Sequence, residues 1–260
     1  MRYYVVDAFT DELFRGNPAG VCVLETFPPD DVMQSIASEN NLSETAFVVP
    51  NGDEYNLRWF TPALEIDLCG HATLATAFIL YRFDRPDAAS LVFHTLSGPL
   101  TVGRDGDLLV MDFPTRSQER VAVTDDMRRA VGGADVLSAY AGYNLQLELV
   151  DEDAVRAVRP DAAAIRELDG RGLIVTAPGR DCDFVSRFFA PGLGVDEDPV
   201  TGSAHTSLVP YWAARLGKAT LLARQVSPRG GTLWCTLAEP RVRIAGHACL
   251  YLSGELNQQN

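Results

Sequence analysis

Residues 67–83, DLCGHATLATAFILYRF, place a glycine and small polar residues directly ahead of a long apolar run. Residues 198–218, DPVTGSAHTSLVPYWAARLGK, repeat this arrangement in the second half of the chain. Each run is apolar around nearly its whole circumference, so each predicts a helix that must be surrounded by protein. Segments rich in β-branched and aromatic residues flank both runs and predict strands. Together these patterns predict a sheet curled around one central helix in each half.

The two stretches also align residue by residue. Pairing Gly70 with Gly202 sets His71 against Ser203, and the segments that follow match in the same order. Strand–helix–strand units that recur at half-chain spacing indicate a duplicated domain.

The polar segment 114–124 interrupts the strand pattern and predicts the connection between the two copies. We therefore expect domains over 1–116 and 117–260, with the last strand free to return to the first domain. The predicted class is α+β, with two pseudo-symmetric domains, each a curled mixed β-sheet or barrel around a central apolar helix.

Composition restricts the classes of function. The 260 residues are 47% hydrophobic and carry a net charge of −13, which suits a chain with a sizeable core but gives no electrostatic support for nucleic-acid binding. The 5 cysteines are scattered without a CxxC pair, so we expect reduced thiols rather than disulfides or a zinc site. No signal pattern and no membrane-length apolar run is found, which predicts a cytoplasmic protein without a membrane partner.

The glycines at the two predicted helix starts have a possible binding role. The first turn of a helix leaves backbone N–H groups unpaired at the positive end of the helix dipole. Gly70 and Gly202 put no side chain in the way of those amides, so two such ends facing each other across a cleft would bind a carboxylate without Lys or Arg. The structural alternative is that Thr73 and Ser203 simply cap their helices.

Three residues are candidates for acid–base chemistry. Glu44, in NNLSETAFVV, stands between a polar turn and an apolar strand, where a poorly solvated carboxylate can exchange protons near neutrality; its ordinary alternative is a strand-edge glutamate. Asp198 precedes a helix start, where it could equally be a capping carboxylate. His71 lies in the first turn of a helix, whose dipole predicts a neutral imidazole.

Other catalytic classes find little support. Cys69 beside His71 suggests a nucleophile, and Ser203 near His205 suggests a hydrolase. Residues two apart on a helix do not face each other, however, and no GxSxG sequence occurs. GxGxxG and Walker sequences do not occur either, so no nucleotide cofactor is indicated.

Five motifs together resemble one family, the phenazine biosynthesis PhzF-like proteins, which are relatives of diaminopimelate epimerase and proline racemase. The motifs are DAFTDELFRGNPAGV, NNLSETAFV, RWFTPALEIDLCGHATLATA, EDPVTGSAH with YWAARLGK, and QVSPRGG. They extend over residues 7–231, nearly the whole chain, and as a set they are highly specific.

The resemblance implies a diaminopimelate epimerase-like fold with its active site between the domains. It assigns the general acid/base to the SET glutamate, Glu44, and further catalytic roles to His71, Asp198 and Ser203. The substrate carboxylate would be bound by backbone amides around Gly70–His71 and Gly202–Ser203. The family requires no metal and no organic cofactor, and its members are often homodimers.

The racemase relatives use one cysteine at each helix start. Here the first start has Cys69, but the second has Thr201, whose hydroxyl cannot replace a thiolate. The main hypothesis is therefore a cofactor-independent isomerase that moves a proton within a small carboxylic acid by Glu44, with Cys69 as a relic or packing residue. Two alternatives stay open: a non-catalytic small-acid-binding or regulatory protein, and an amino-acid epimerase or racemase that uses Glu44 with Cys69.

Overall fold

The computed structural model describes residues 1–257. These residues form 18 strands and six α-helices, with 3₁₀ turns at Pro191–Leu193 and Gly202–Ala204. The strands are β1 (Arg2–Ala8), β2 (Asn17–Val23), β3 (Glu44–Asn51), β4 (Glu54–Phe60), β5 (Glu65–Ile66), β6 (Ser90–Thr95), β7 (Gly98–Asp105), β8 (Leu108–Pro114), β9 (Gln118–Val121), β10 (Val136–Gly142), β11 (Leu145–Leu149), β12 (Leu173–Pro178), β13 (Phe184–Ala190), β14 (Val195–Asp198), β15 (Thr220–Gln225), β16 (Gly231–Ala238), β17 (Arg241–Gly246) and β18 (Ala248–Glu255). The helices are α1 (Asp30–Asn40), α2 (Gly70–Phe83), α3 (Asp125–Ala130), α4 (Glu152–Ala157), α5 (Ala162–Arg166) and α6 (His205–Leu216).

The chain divides into two compact units. The first is Met1–Asp112 together with the segment from Ala245 onward, and the second is Phe113–Ile244. Of the helices in the described part of the chain, none is long and apolar enough to cross a membrane.

The first unit is a mixed sheet. Strand β1 pairs antiparallel with both β2 and β18. Strands β2 and β3 run parallel because α1 returns the chain between them, and β4 and β6 run parallel with α2 as their connection. Antiparallel pairs join β3 to β4, and β6 to β7. The short strand β5 pairs with β4 just before α2 begins.

The second unit repeats this succession. Strands β11 and β12 run parallel with α4 and α5 between them, and β13 and β15 run parallel with α6 between them. Antiparallel pairs join β12 to β13, and β15 to β16. The short strand β14 pairs with β13 ahead of α6, as β5 pairs with β4 ahead of α2. The predicted duplication therefore extends to strand order and strand direction.

Helix α2 is buried as its sequence predicts. Only Phe78, Arg82 and Phe83 are not fully buried, and the helix packs against β1, β2 and β3. Its buried threonines are accommodated within the helix, since Thr76 Oγ1 donates a 2.7 Å hydrogen bond to the Ala72 carbonyl oxygen. An internal partner of this kind lets a hydroxyl be buried at little cost.

Helix α6 differs from the expectation in two respects. It begins at His205 rather than at Gly202, because Gly202–Ala204 form a 3₁₀ turn in which the Ala204 amide bonds to the Thr201 carbonyl at 3.2 Å. Its last turn, 214–216, is exposed. The apolar run is therefore buried only over its first three turns.

The segment expected as a plain connection, 114–124, also contains structure. Residues 118–121 form β9, which pairs antiparallel with β10. An exposed strand can consist of polar residues, and those of β9 are largely exposed. Polar composition alone therefore did not distinguish this strand from a loop.

Candidate active site

The first candidate, Glu44, is the first residue of β3. It lies opposite Ala19 in the parallel β2–β3 pair, directly after the turn that ends α1. Its side chain is only 13% exposed. A strand start next to a turn therefore holds a carboxylate in a mostly buried position.

His71 occupies the second position of α2 and meets this carboxylate. Its Nε2 atom lies 3.1 Å from Glu44 Oε2, and its side chain is 5% exposed. The contact is close but is not aligned as a hydrogen bond, and neither atom has another hydrogen-bond partner among the described residues. Catalytic hydrogen bonds are often poorly aligned without substrate, so this geometry suits a group that still has a partner to bind.

Cys69 completes the cluster. Its Sγ atom lies 3.5 Å from His71 Nδ1, the ring nitrogen opposite the one that faces Glu44. The sequence argument that residues two apart cannot face each other is wrong here. Cys69 is the N-cap residue and has an extended backbone, φ −140° and ψ 110°, so helix geometry does not apply to it.

The charges of this cluster differ from the expectation of a neutral imidazole. Burial lowers the pKa of His71, but its interactions with Cys69 and Glu44 raise that pKa well above its ordinary value. Burial raises the pKa of the Cys69 thiol to about 11, so this group is protonated at neutral pH. With the thiol uncharged, Glu44 is the negatively charged partner of His71 in this cluster, and its Oε2 atom lies 3.1 Å from Nε2.

The start of α2 has no capping side chain within the described chain. The alternative in which Thr73 caps the helix is wrong, because its hydroxyl donates to the Cys69 carbonyl oxygen at 2.5 Å instead of accepting from an amide. Apart from a contact of the Ala72 amide with the Cys69 thiol, the N–H groups of this first turn have no side-chain acceptor. Such a helix start suits a carboxylate or phosphate.

The candidates of the second unit lie at its corresponding helix start. Asp198 ends β14, and its Oδ2 accepts a 2.5 Å hydrogen bond from Thr201 Oγ1. Gly202 is buried and Ser203 is half-buried in the 3₁₀ turn, which has no side-chain cap. The capping alternative for Ser203 is therefore wrong as well. The structure groups Asp198 with Gly202 and Ser203, and it groups Glu44 with Gly70 and His71, each set within its own unit.

Sequence reasoning missed Gln225. Its Oε1 accepts from the Thr201 amide at 2.8 Å, and its Nε2 donates to the Asp198 carbonyl oxygen at 2.6 Å. Gln225 is fully buried at the end of β15, so it fixes the turn that contains Asp198. The signal available in the sequence was a polar residue at an inward strand position, the first residue of the QVSPRGG motif.

His205 is held at the same helix start. Its Nδ1 lies 2.9 Å from the Thr201 carbonyl oxygen, and burial lowers its pKa to about 4, so the ring is neutral. In the aligned repeat His205 takes the place of Thr73, whose hydroxyl bonds to the carbonyl of Cys69. Both helix starts are therefore fixed by a side chain four residues further on.

The donor atoms of Glu44, Cys69 and His71 lie within 4.8 Å of one another, a spacing that a metal ion could bridge. A metal binds cysteine as the thiolate, which the raised pKa of Cys69 disfavours. We therefore treat the three residues as an acid–base cluster.

Comparison with known proteins identifies a family and several relatives of this chain. The family described as phenazine biosynthesis-like protein, PhzC-PhzF, matches residues 6–254. The chain is 52% identical to an uncharacterized isomerase of Pseudomonas aeruginosa, over 98% of both chains. Two further relatives, at 50% and 45% identity, are also named isomerases.

Solved structures agree with the fold. A PhzF-family protein of Enterococcus faecalis is 51% identical and superposes with a TM-score of 0.96 over 99% of both chains. A probable proline racemase of Agrobacterium radiobacter has a TM-score of 0.64 at 11% identity, covering 99% of this chain and 93% of its own. This second likeness concerns the fold alone. It confirms the predicted pair of pseudo-symmetric, diaminopimelate epimerase-like domains.

Proposed function

The chain belongs to the phenazine biosynthesis-like family, as its motifs predicted, and we propose that it is an isomerase that moves a proton within a small carboxylic acid without a cofactor. The observation that carries the proposal is the 3.1 Å contact between Glu44 Oε2 and His71 Nε2 at the start of α2. The relatives named as isomerases support the reaction class.

Glu44 is the proton carrier in this proposal. Its Oε2 accepts a proton from the carbon beside the substrate carboxylate, so a C–H bond breaks and an O–H bond forms. The electron pair moves into the substrate, and Glu44 returns the proton to another carbon of the same molecule. Atoms and charge balance within the substrate, so no external reactant is required.

His71 supports this step by its charge. The raised pKa of His71 keeps a positive charge 3.1 Å from the Glu44 carboxylate, where it can stabilise negative charge that develops on the substrate. Because His71 Nε2 has no aligned protein partner, its N–H is also available to a substrate oxygen that gains negative charge. A buried donor is more effective in this role than an exposed one.

The amides near Gly70 and His71 are proposed to bind the substrate carboxylate. This assignment rests on the missing cap of α2 and on the helix dipole. For the second unit, Asp198, Gly202 and Ser203 are proposed as further catalytic and carboxylate-binding residues on the strength of the sequence repeat. The homodimer and the cytoplasmic location stay predictions, and the molar mass in solution tests the first of them.

Deuterium exchange tests the function without knowledge of the substrate. Small carboxylic acids with acidic C–H groups are incubated with the protein in D₂O and analysed by NMR and mass spectrometry. We expect uptake of deuterium with the wild-type chain and with Glu39→Gln, an exposed glutamate near the end of α1. Glu44→Gln should bind the same acid and exchange nothing; undiminished exchange in this variant would refute the role of Glu44.

The two alternatives give different results in the same assay. A small-acid-binding protein without turnover would bind an acid and leave its C–H bonds unexchanged. An epimerase would invert a stereocentre and would lose activity in Cys69→Ser, because its thiol would exchange a proton with the substrate. The raised pKa of Cys69 keeps its thiol protonated at neutral pH, so in an epimerase Cys69 would act as the acid and Glu44 as the base.

A further inference from the structure

We propose that Cys69 is a positioning residue: its Sγ atom holds the imidazole of His71 so that Nε2 faces Glu44. The catalytic consequence rests on the proposed function, but the effect on the ring of His71 does not. This role differs from both the relic and the acid–base role considered for Cys69 from sequence.

The first argument is the placement of two contacts on opposite ring nitrogens. Sγ lies 3.5 Å from Nδ1, and Glu44 Oε2 lies 3.1 Å from Nε2. An imidazole held on one side only can turn over about its Cβ–Cγ bond, which would put a carbon where Nε2 now lies. Both contacts therefore favour the present orientation, and of the two only the sulfur contact has hydrogen-bond geometry.

The second argument is that the backbone of Cys69 is itself fixed. Its carbonyl oxygen accepts two bonds from Thr73, one from the hydroxyl at 2.5 Å and one from the amide at 3.2 Å. With an extended N-cap backbone, this anchor turns the side chain toward the first helical turn. The thiol is buried and has little room to adopt another rotamer.

The third argument is chemical. A thiol is both a weak donor and a weak acceptor. It accepts from Nδ1–H when His71 is an imidazolium, and it donates S–H to Nδ1 when the ring is neutral, which leaves the remaining ring proton on Nε2. In either state Nε2 carries a proton toward Glu44, because the bond at one ring nitrogen determines the tautomer at the other.

The second helix start provides independent support. Its equivalent residue, Thr201, also bonds through its side chain to a candidate site residue, with Oγ1 2.5 Å from Asp198 Oδ2. The carbonyl of Thr201 is likewise fixed by the residue four positions on, His205. At both starts the residue before the glycine thus has a fixed backbone and a side chain that contacts a polar neighbour.

Three variants test the proposal: Cys69→Ala removes the contact, Cys69→Ser keeps a group that can donate and accept, and Cys22→Ala truncates another buried thiol of the same unit. Protein labelled with ¹⁵N-histidine reports the tautomer and pKa of His71 in the folded chain. We expect Cys69→Ala to lower the pKa of His71 and to mix its tautomers, with Cys69→Ser and Cys22→Ala close to wild type. In turnover, Cys69→Ala should lower kcat roughly 10- to 100-fold with little change in KM, and Cys69→Ser should restore most of it.

The outcomes separate this proposal from the proposed function. Unchanged His71 signals in a folded Cys69→Ala protein would overturn the positioning role, even if activity fell. Loss of turnover in Cys69→Ser with unchanged His71 signals would also overturn it and would favour the epimerase. Should no acid be exchanged by the wild type, the NMR readout still decides the role of Cys69, because it requires no substrate.

Discussion

Glu44 Oε2 lies 3.1 Å from His71 Nε2 although the two residues belong to different elements, the first position of β3 and the first turn of α2. The contact pairs a carboxylate with a base inside the protein, where the carboxylate helps to raise the pKa of the imidazole. The predictions that concern pH follow from this pair and from a neutral buried histidine of the other unit, His205.

Glu44→Gln should lower the pKa of His71. The carboxylate is the anion that stabilises the imidazolium, and an amide of the same size removes the charge with little change in packing. Titration of ¹⁵N-labelled histidine by NMR measures the shift directly. Glu39→Gln is the matched control and should leave His71 as in the wild type; an equal pKa in Glu44→Gln would contradict the assigned cause.

The same pair should make stability depend on pH above neutrality. A histidine whose pKa is raised in the folded state contributes stability that is fully present below the unfolded value of 6.5 and is lost as the pH rises through the folded pKa. Urea unfolding of the wild type from pH 6 upward, in steps, should therefore show a decline that is smaller in Glu44→Gln. If the free energy of unfolding changed equally with pH in these two proteins, the pair would not contribute to the pH dependence of stability.

His205 should make the protein less stable as the pH falls, whereas the Glu44–His71 pair makes it less stable as the pH rises. The pKa of His205 is lowered from 6.5 to about 4 by burial. Between these two pH values the histidine is therefore protonated in the unfolded chain and neutral in the folded chain. Stability should fall by about 3 kcal/mol as the pH decreases from 6.5 to 4, at 1.36 kcal/mol per pKa unit. His205→Asn keeps a donor for the Thr201 carbonyl and should reduce the difference in unfolding free energy between the two pH values. Unfolding at both pH values measures it, and an unchanged slope in the variant would contradict the assignment.

Gly16→Ala should destabilise the first unit far more than Gly52→Ala. The two glycines have nearly equal φ, +63° and +64°, but a Cβ at Gly16 would lie 2.2 Å from the Ala8 carbonyl oxygen while a Cβ at Gly52 meets nothing within 4 Å. An alanine at either position therefore has the same backbone strain, about 1 kcal/mol in each variant. Gly16→Ala adds a backbone clash and should cost at least about 3 kcal/mol in total. Denaturant unfolding gives both values, and equal losses would mean that the chain relaxes around Gly16.

The parts of the structure that follow from local pattern were predicted from the sequence. The apolar run after Gly70 is a buried helix that begins at that residue, and the alignment of Gly70 with Gly202 corresponds to a repeated order of strands. Glu44 was identified by its position between a polar turn and an apolar strand, which is where it lies. Periodicity and burial determine these features, and both can be derived from residue types.

The parts that depend on one backbone angle or on a partner far along the chain were not predicted. The contact of Cys69 with His71 requires an extended residue at the N-cap, which the spacing of two residues does not reveal. The protonation of His71 was assigned from the helix dipole, and the nearby Glu44, supplied by another element, reverses it. Gln225 was missed because its partners at Asp198 and Thr201 come together only in the folded second unit.

The pairing of β18 with β1 determines the order in which the molecule can be completed during synthesis. The second unit is one continuous piece of chain, so all its strands are synthesised before residue 248 is added. The first unit starts earlier but waits for strand β18 until the whole second unit has been synthesised. Until then one edge of β1 is unpaired, so the unit that holds Glu44 and His71 is the last to be completed.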